Sequence, residues 1–377
     1  MKKFLKMTLY IILSVIVIIA VIGFLFVKLS PEFGGSHSES DKARYAESGH
    51  YEENTFQNLI ETNMDMDFKN MMKTMYQFIS GGPNRSPKNP LPMIERARKE
   101  IAGYNGPARL MWYGHSAFLL QMDGKSFLLD PMFGQVAAPH PWLGSNRYNR
   151  ILPIEIDSLP KIDGVFISHD HYDHLDYGSI KKLLDKTDHF YLPLGVGAHF
   201  REWGVEESRI TEFNWWDEGM IGDGINIAFA PTRHFSGRGL SDRNATMWGS
   251  WIIKGKAAKL YFSGDSGYGP HFKSIGEKHG PFDFALMECG QYNEKWAAIH
   301  MMPEETAQAS ADVKAEKMMP IHWGAFTLSL HDWDDPVKRV IPAAEALGIP
   351  AIVPEMGEFV SIESPTTAFE DWWKSIN

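Results

Sequence analysis

Ser168-His169-Asp170-His171-Tyr172-Asp173-His174 follows directly on the apolar run Gly164-Val165-Phe166-Ile167. A short run of apolar, β-branched and aromatic residues ended by polar ones reads as a buried strand. The pattern H-x-H-x-D-H therefore brings several metal-competent side chains off one strand end together. In extended chain, residues i and i+2 face the same side. His169 and His171 can share one ion, and Asp173 and His174, where the chain turns away, are placed for a second. Imidazole with carboxylate suits zinc, and iron and manganese accept similar sets.

Outward from this loop, three more ligand types occupy the same kind of position. His234 follows Ile227-Ala228-Phe229-Ala230, Asp265 follows Leu260-Tyr261-Phe262-Ser263-Gly264, and His322 follows Met319-Pro320-Ile321. Each alone is an ordinary strand-end residue, but together with the loop they complete a seven-residue set for two metals. The single cysteine, Cys289, excludes an intramolecular disulfide and a Cys-rich zinc site. A net charge of -10 argues against a nucleic-acid partner.

The 377-residue chain, 44% hydrophobic and 22% charged, is long enough for one large domain or two smaller ones. Leu110–Tyr113, Phe118–Leu120 and Ser126–Leu129 read as strands, with Asp123-Gly124 as a type I′ hairpin turn. Further strands are expected at 190–192, 225–230, 247–253, 260–263, 284–287, 352–353 and 359–362. Helices are expected at 95–101, 177–184, 304–317, 336–347 and 369–374. Such a mixture implies sheets packed together with helices on their outer faces.

The N-terminus differs. Lys2, Lys3 and Lys6 precede an uncharged apolar run over residues 8–27. Twenty helical residues span about 30 Å, the hydrocarbon thickness of a bilayer. The run exceeds the ~7–15 apolar residues of a cleaved signal peptide, so an uncleaved signal anchor is expected. The lysine bias then leaves residues 1–7 in the cytoplasm and the rest of the chain outside. Residues 28–55 read as a polar linker and 56–377 as the globular domain. Met64, Met66, Phe68, Met71, Met72, Met75, Tyr76 and Phe78 crowd one stretch, expected as a helix that packs its methionine face on the domain. The alternative for it is an apolar surface that touches lipid.

Several stretches carry a family likeness: Trp112-Tyr113-Gly114-His115-Ser116, Leu129-Asp130-Pro131-Met132-Phe133, Trp248-Gly249-Ser250-Trp251, Gly264-Asp265-Ser266-Gly267-Tyr268, His300-Met301-Met302-Pro303-Glu304-Glu305 and Ile321-His322-Trp323-Gly324. With the H-x-H-x-D-H loop, the chain from Arg109 to Ser361 resembles the metallo-β-lactamase superfamily, and within it the N-acylphosphatidylethanolamine-hydrolysing phospholipase D group. The resemblance implies an αββα four-layer sandwich with the site along one edge of the two sheets. It implies one zinc on His169, His171 and His234, a second on Asp173, His174 and His322, and Asp265 bridging both. His300 matches a position similar to that group's substrate-site histidine. The anchor and the region before Arg109 depart from the resemblance.

Two zinc ions about 3.5–4 Å apart acidify a bound water and neutralise charge that grows on oxygen in the transition state. Asp265, Asp173 and His300 are the catalytic candidates. His115, Glu288, Arg233 and Arg238 are candidate substrate contacts, and Arg243 also flanks His234. The unrelated phospholipase D motif His-x-Lys-x4-Asp is not met: it begins at His271-Phe272-Lys273 but has Lys278 where aspartate is required. A membrane-anchored phosphodiesterase acting on a phospholipid is the first expectation. A lactonase or other small-molecule hydrolase on the same two metals is the second, and a non-catalytic binding domain of the same fold the third. A long apolar groove beside the anchor favours lipid, and a small closed polar pocket favours a lactone.

Overall fold

In the computed structural model, which describes residues 2–222, 224–363 and 371–376, the chain begins with helix α1 (Lys2–Leu29). Its span Lys3–Leu29 has a mean hydropathy of 3.1 and none of it is buried against protein. The next 30 residues are not the free linker expected from their polar composition. Ser38 caps α2 (Glu39–Ala46) in a capping box, and β1 (Tyr51–Glu52) pairs with β2 (Thr55–Phe56). Tyr45 and Phe56 are fully buried in the main core. Two buried aromatics supply the apolar contact that polarity counts overlook. Then come α3 (Phe68–Ser80) and the short α4 (Arg98–Ile101), which is later and shorter than expected.

The first sheet takes β3 (Arg109–Trp112), β4 (Phe118–Met122), β5 (Lys125–Leu129), β6 (Gly164–Phe166), β7 (Phe190–Pro193) and β8 (Ile210–Phe213). Helices α5 (Tyr177–Leu183) and α6 (Gly197–Glu202) lie between the last three strands in sequence. Asp123 and Gly124 both have positive φ, 51° and 73°, as the expected hairpin turn demands. The second sheet takes β9 (Glu218–Ile221), β10 (Ile225–Ala230), β11 (Ser250–Lys254), β12 (Lys259–Phe262), β13 (Phe284–Glu288) and β14 (Met318–Ile321). Its helices are α7 (His271–Lys278), α8 (Pro303–Asp312) and α9 (Asp335–Ala346). β15 (Phe359–Ser361) returns to the first sheet beside β3, giving the order β15-β3-β4-β5-β6-β7-β8 against β14-β13-β12-β11-β10-β9.

Period-two alternation builds the layers. Leu110 and Trp112 face the second sheet in the central core, while Met111 and Tyr113 face outward, into the cluster that also holds Ile180 and Leu183 of α5 and Phe200 of α6. Ile227, Phe229 and Trp251 meet them from the opposite sheet, and Ala228, Ile252 and Tyr261 pack outward under α7, α8 and α9. The four layers are helices, sheet, sheet, helices: the αββα architecture expected from the resemblance. α8 stops at Asp312, five residues before its expected end, because Lys314 turns the chain at φ 61°. β11 starts at Ser250 and not at 247, since Gly249 leaves the ladder to donate to Ser168 O across the sheets. Residues 352–353 form no strand. Of the expected last helix, residues 369–370 lie outside the described residues, and Trp372–Ser375 is a 3-10 turn.

Candidate metal centre

Strand direction collects the site. β5 and β6 are parallel, and β3 runs with them because two antiparallel steps separate β3 from β5. In the second sheet, β12, β13 and β14 are parallel and β10 shares their direction through antiparallel β11. The residues after the C-terminal ends of β3, β5, β6, β10, β12 and β14 thus meet at one edge of the sandwich. They are His115, Asp130, the 168–174 loop, His234, Asp265 and His322. The edge is tied across the sheets: His115 N donates to Trp323 O at 2.9 Å, His322 N to His115 O at 3.1 Å, and Trp251 Nε1 to Ile167 O at 2.8 Å. His115 and His322 sit at φ 56° and 69°, a left-handed conformation that these bonds hold in place.

All seven expected ligands converge. His169, His171 and His234 form one set whose nitrogens lie within 4.8 Å of one another, and Asp173, His174, His322 and His115 form another. His171 Nδ1 is 2.9 Å from His169 Nε2 and 3.2 Å from His234 Nε2. Asp265 lies between the sets. Its Oδ2 is 3.1 Å from His174 Nε2 and 3.8 Å from both His169 Nε2 and His234 Nε2, while Oδ1 is 3.2 Å from His322 Nδ1. Burial, with neighbouring imidazoles, holds His169 and His234 well below the ordinary histidine range, and holds His322 there as well. His171 is pushed down to about 4, chiefly by burial. These rings are neutral near pH 7 and offer lone pairs. Burial opposes charge on His174, but Asp265, Asp173 and Asp130 outweigh it and hold that ring well above the ordinary range. His174 Nε2 and Asp265 Oδ1 are buried without a hydrogen-bond partner. Convergent neutral nitrogens, carboxylates and orphaned polar atoms in one buried place are what a cation would satisfy. The residues fit a metal group.

A surrounding shell orients the rings. Asp130, to which the strand-end reading assigned no role, lies with Oδ2 2.7 Å from His174 Nδ1 and accepts from Ser168 N and Oγ at 2.7 and 2.5 Å. Ser168 Oγ is in turn 2.9 Å from His169 Nδ1. His234 Nδ1 donates to Ile299 O at 3.0 Å, and the Asn58 side chain brackets the His234 backbone at 2.7 and 3.2 Å. Asp170 points away from the metal set, accepting from Gly237 N and Thr246 Oγ1 at 2.8 Å each. A Cβ on Gly290 would stand 1.9 Å from His322 O, so only glycine allows the chain after β13 to pass so near that candidate ligand.

The expected substrate contacts divide. His300 lines the cleft above the metal set, its Nδ1 3.2 Å from the fully buried Glu288. Glu288 also accepts from Met301 N at 3.0 Å, so it positions His300 and does not face the cleft. His115 is fully buried with Nε2 2.9 Å from Asp173 Oδ2, and it too acts behind the site. Two arginines correct the expectation. Arg238 is buried and donates to the carbonyls of Asp170, Leu175 and Glu32, which fastens the N-terminal segment to the metal loop. Arg233 donates to Thr62 Oγ1, Tyr268 O and Glu61 O. Both guanidinium groups are spent on holding loops together, and neither lines the cleft. Arg243 stacks over Phe235, 4.1 Å from the ring centre.

The cleft has a volume of about 290 Å³. Met64, Met66, Phe235, Trp296, Ile299 and Leu328 wall it, with His171, Asp173, Asp265 and His322 at its floor. The sequence pattern had no means of placing Phe235, Trp296 or Leu328 there, since Phe235 and Leu328 lie in loops and Trp296 ends a single 3-10 turn, all too short for periodicity.

Residues 125–323 match the family described as Beta-lactamase superfamily domain. The chain belongs to the metallo-β-lactamase superfamily. An uncharacterised protein of Mycobacterium tuberculosis is 37% identical over 353 residues, 92% of each chain. The N-acyl-phosphatidylethanolamine-hydrolyzing phospholipase D 1 of Caenorhabditis elegans is 33% identical over 263 residues, 66% of this chain and 74% of the relative. The solved isothiocyanate hydrolase from Delia radicum gut bacteria superposes with a TM-score of 0.53 at 19% identity, covering 67% of this chain and 98% of that one, which shows the shared fold. The coarse activity that goes with membership and with this ligand cluster is metal-dependent hydrolysis.

Proposed function

We propose that this protein is a membrane-anchored, zinc-dependent phosphodiesterase of phospholipase D type that cleaves N-acylphosphatidylethanolamine to N-acylethanolamine and phosphatidic acid. The observation that carries the reading is the cleft: apolar side chains wall it above a floor of metal-competent groups, as an acylated phosphodiester requires. The 33% identity to the nematode phospholipase supports the same substrate class.

Two zinc ions held by His169, His171 and His234 and by Asp173, His174 and His322 would supply Lewis-acid charge and a water acidified toward neutral pH. Asp265 reaches both sets and is placed to orient the attacking water and accept its proton. Attack falls on phosphorus, the bond from phosphorus to the ethanolamine oxygen breaks, and that oxygen leaves with a proton as N-acylethanolamine. His300, held at Nδ1 by Glu288, presents its other edge to the head group. Apolar walls exclude bulk water and receive acyl carbon.

The division of the chain follows as part of the proposal: a cytoplasmic tail over 1–7, a span over 8–27, and an extracytoplasmic hydrolase domain over 56–377 with 28–55 docked on it. Turnover in ¹⁸O water should place the label in phosphatidic acid. Label in a released fatty acid would mean acyl hydrolysis, and failure of metal-replete protein to turn over any phospholipid would overturn the substrate. Protease added to spheroplasts should degrade the domain, and its survival would reverse the orientation.

A further inference from the structure

α3 is built inside out for a water-facing helix. Phe68, Met71, Met72, Met75, Tyr76 and Ile79 recur at steps of three and four and form one face. In a soluble domain that face would turn to the core, as was expected of the methionine stretch. Here no residue of α3 is buried, and Phe68, Tyr76 and Ile79 are 75, 72 and 78% exposed. The half-buried line is polar instead: Asn70, Thr74 and Gln77 turn toward the protein, and Thr74 Oγ1 accepts from Lys295 Nζ at 2.8 Å. An apolar face of this size left outward marks a binding surface.

What covers it follows from its neighbours. The segment leading into α3 passes Met64 and Met66 in the cleft wall. Across the cleft, Phe235 begins the loop that ends at Gly239, Leu240 and Asp242 beside Phe24 and Val27 of α1. Trp142, 67% exposed, packs on Phe26 of α1 with ring centres 5.9 Å apart. The cleft mouth, the outward face of α3 and the foot of the apolar span are thus joined by short stretches of chain. α3 carries Lys69 and Lys73, both exposed, and no acidic residue, which suits anionic lipid head groups.

We propose that α3 is a second membrane contact, an in-plane helix whose Phe68–Ile79 face lies in the bilayer interface and seats the cleft mouth on the lipid surface. The proposal rests on α1 spanning the membrane and is independent of which lipid is hydrolysed. The test uses the full chain, one copy per nanodisc of phosphatidylethanolamine and phosphatidylglycerol, with doxyl-labelled lipid as quencher. Single probes are attached at Tyr76→Cys and Met75→Cys on the outward face, at Lys69→Cys beside it, and at Ile18→Cys in α1. The native Cys289 is buried and stays unlabelled. The probes at 75 and 76 should be quenched by doxyl lipid several-fold more than the probe at 69, and shielded from aqueous iodide. Adding M72D and I79D, both at exposed positions, should abolish quenching at 75 while position 18 remains quenched. Quenching at 18 with none at 75 and 76 would overturn the proposal and leave the anchor standing, whereas none at any position would overturn both. Protection from iodide without lipid quenching would assign the face to a protein partner or a second copy and overturn the lipid contact.

Discussion

Seven side chains converge at the candidate metal centre, and their setting predicts how each failure would look. Intact protein should carry about two zinc ions per chain, as its His/Asp ligand count requires. His171→Ala and Asp265→Ala should each abolish turnover and lower metal content while circular dichroism stays native, and elemental analysis reads this directly. Active protein with only trace transition metal would sink the reading. Asp130 offers a finer test. It touches no expected metal position, yet its carboxylate lies 2.7 Å from His174 Nδ1 and accepts from Ser168. Asp130→Asn should weaken metal binding about 10–100-fold, the usual cost of losing an orienting carboxylate. An unchanged affinity in a chelator competition would show that the ring is fixed by packing alone.

At the scale of elements, the segment after α1 packs on the rest of the domain through contacts whose loss can be tested. Arg238 is one tie, joining Glu32 O of that segment to the carbonyls of Asp170 and Leu175 in the metal loop. Arg238→Ala orphans them, and denaturant unfolding should show a loss of roughly 2–4 kcal/mol. Arg238→Lys should rescue little, because an ammonium cannot span the three acceptors as a planar fork does. His37 makes the same docking depend on pH. Burial and then His199 push its pKa down to about 4, against the opposing pull of Asp41 and Asp170, and Arg201 also disfavours its charge. Its Nδ1 lies 3.1 Å from Tyr45 Oη. A released His37 takes up a proton near its ordinary 6.5, but a docked one does so only near 4. The contribution is fully present above 6.5 and is lost as pH falls toward 4. Limited proteolysis between residues 31 and 56 should therefore accelerate as pH drops through that window. His37→Phe, which cannot take up a proton, should flatten the profile.

At the scale of the molecule, a metal bound at the candidate centre would double as a staple. The candidate ligands come from both sheets, after β6 on one side and after β10, β12 and β14 on the other. An ion bound only by the folded chain stabilises it by mass action, about 4 kcal/mol at a thousandfold excess over the dissociation constant. Stripping zinc with a chelator should lower the melting temperature, and zinc should restore it. The same chelation of Asp265→Ala should shift it less. An identical melting temperature with and without metal would show that the two sheets hold without it.

Sequence alone picked out the seven side chains that converge at the candidate metal centre, because residue type and strand-end position are both local. It determined the hairpin at Asp123-Gly124, where only a two-residue turn with positive φ closes the register, and the long apolar run of α1. The roles of Arg233 and Arg238 were decided only by tertiary structure: a guanidinium beside a ligand in sequence can serve a substrate or a carbonyl, and the carbonyls it meets come from residues up to 206 positions away. The same holds for the segment after α1, whose polar composition hid two core aromatics, and for α3. Periodicity shows that a helix has an apolar face, but which way that face turns depends on what the rest of the chain leaves beside it. Around α3 the described chain offers Lys295 to the polar side and buries no residue of the apolar one.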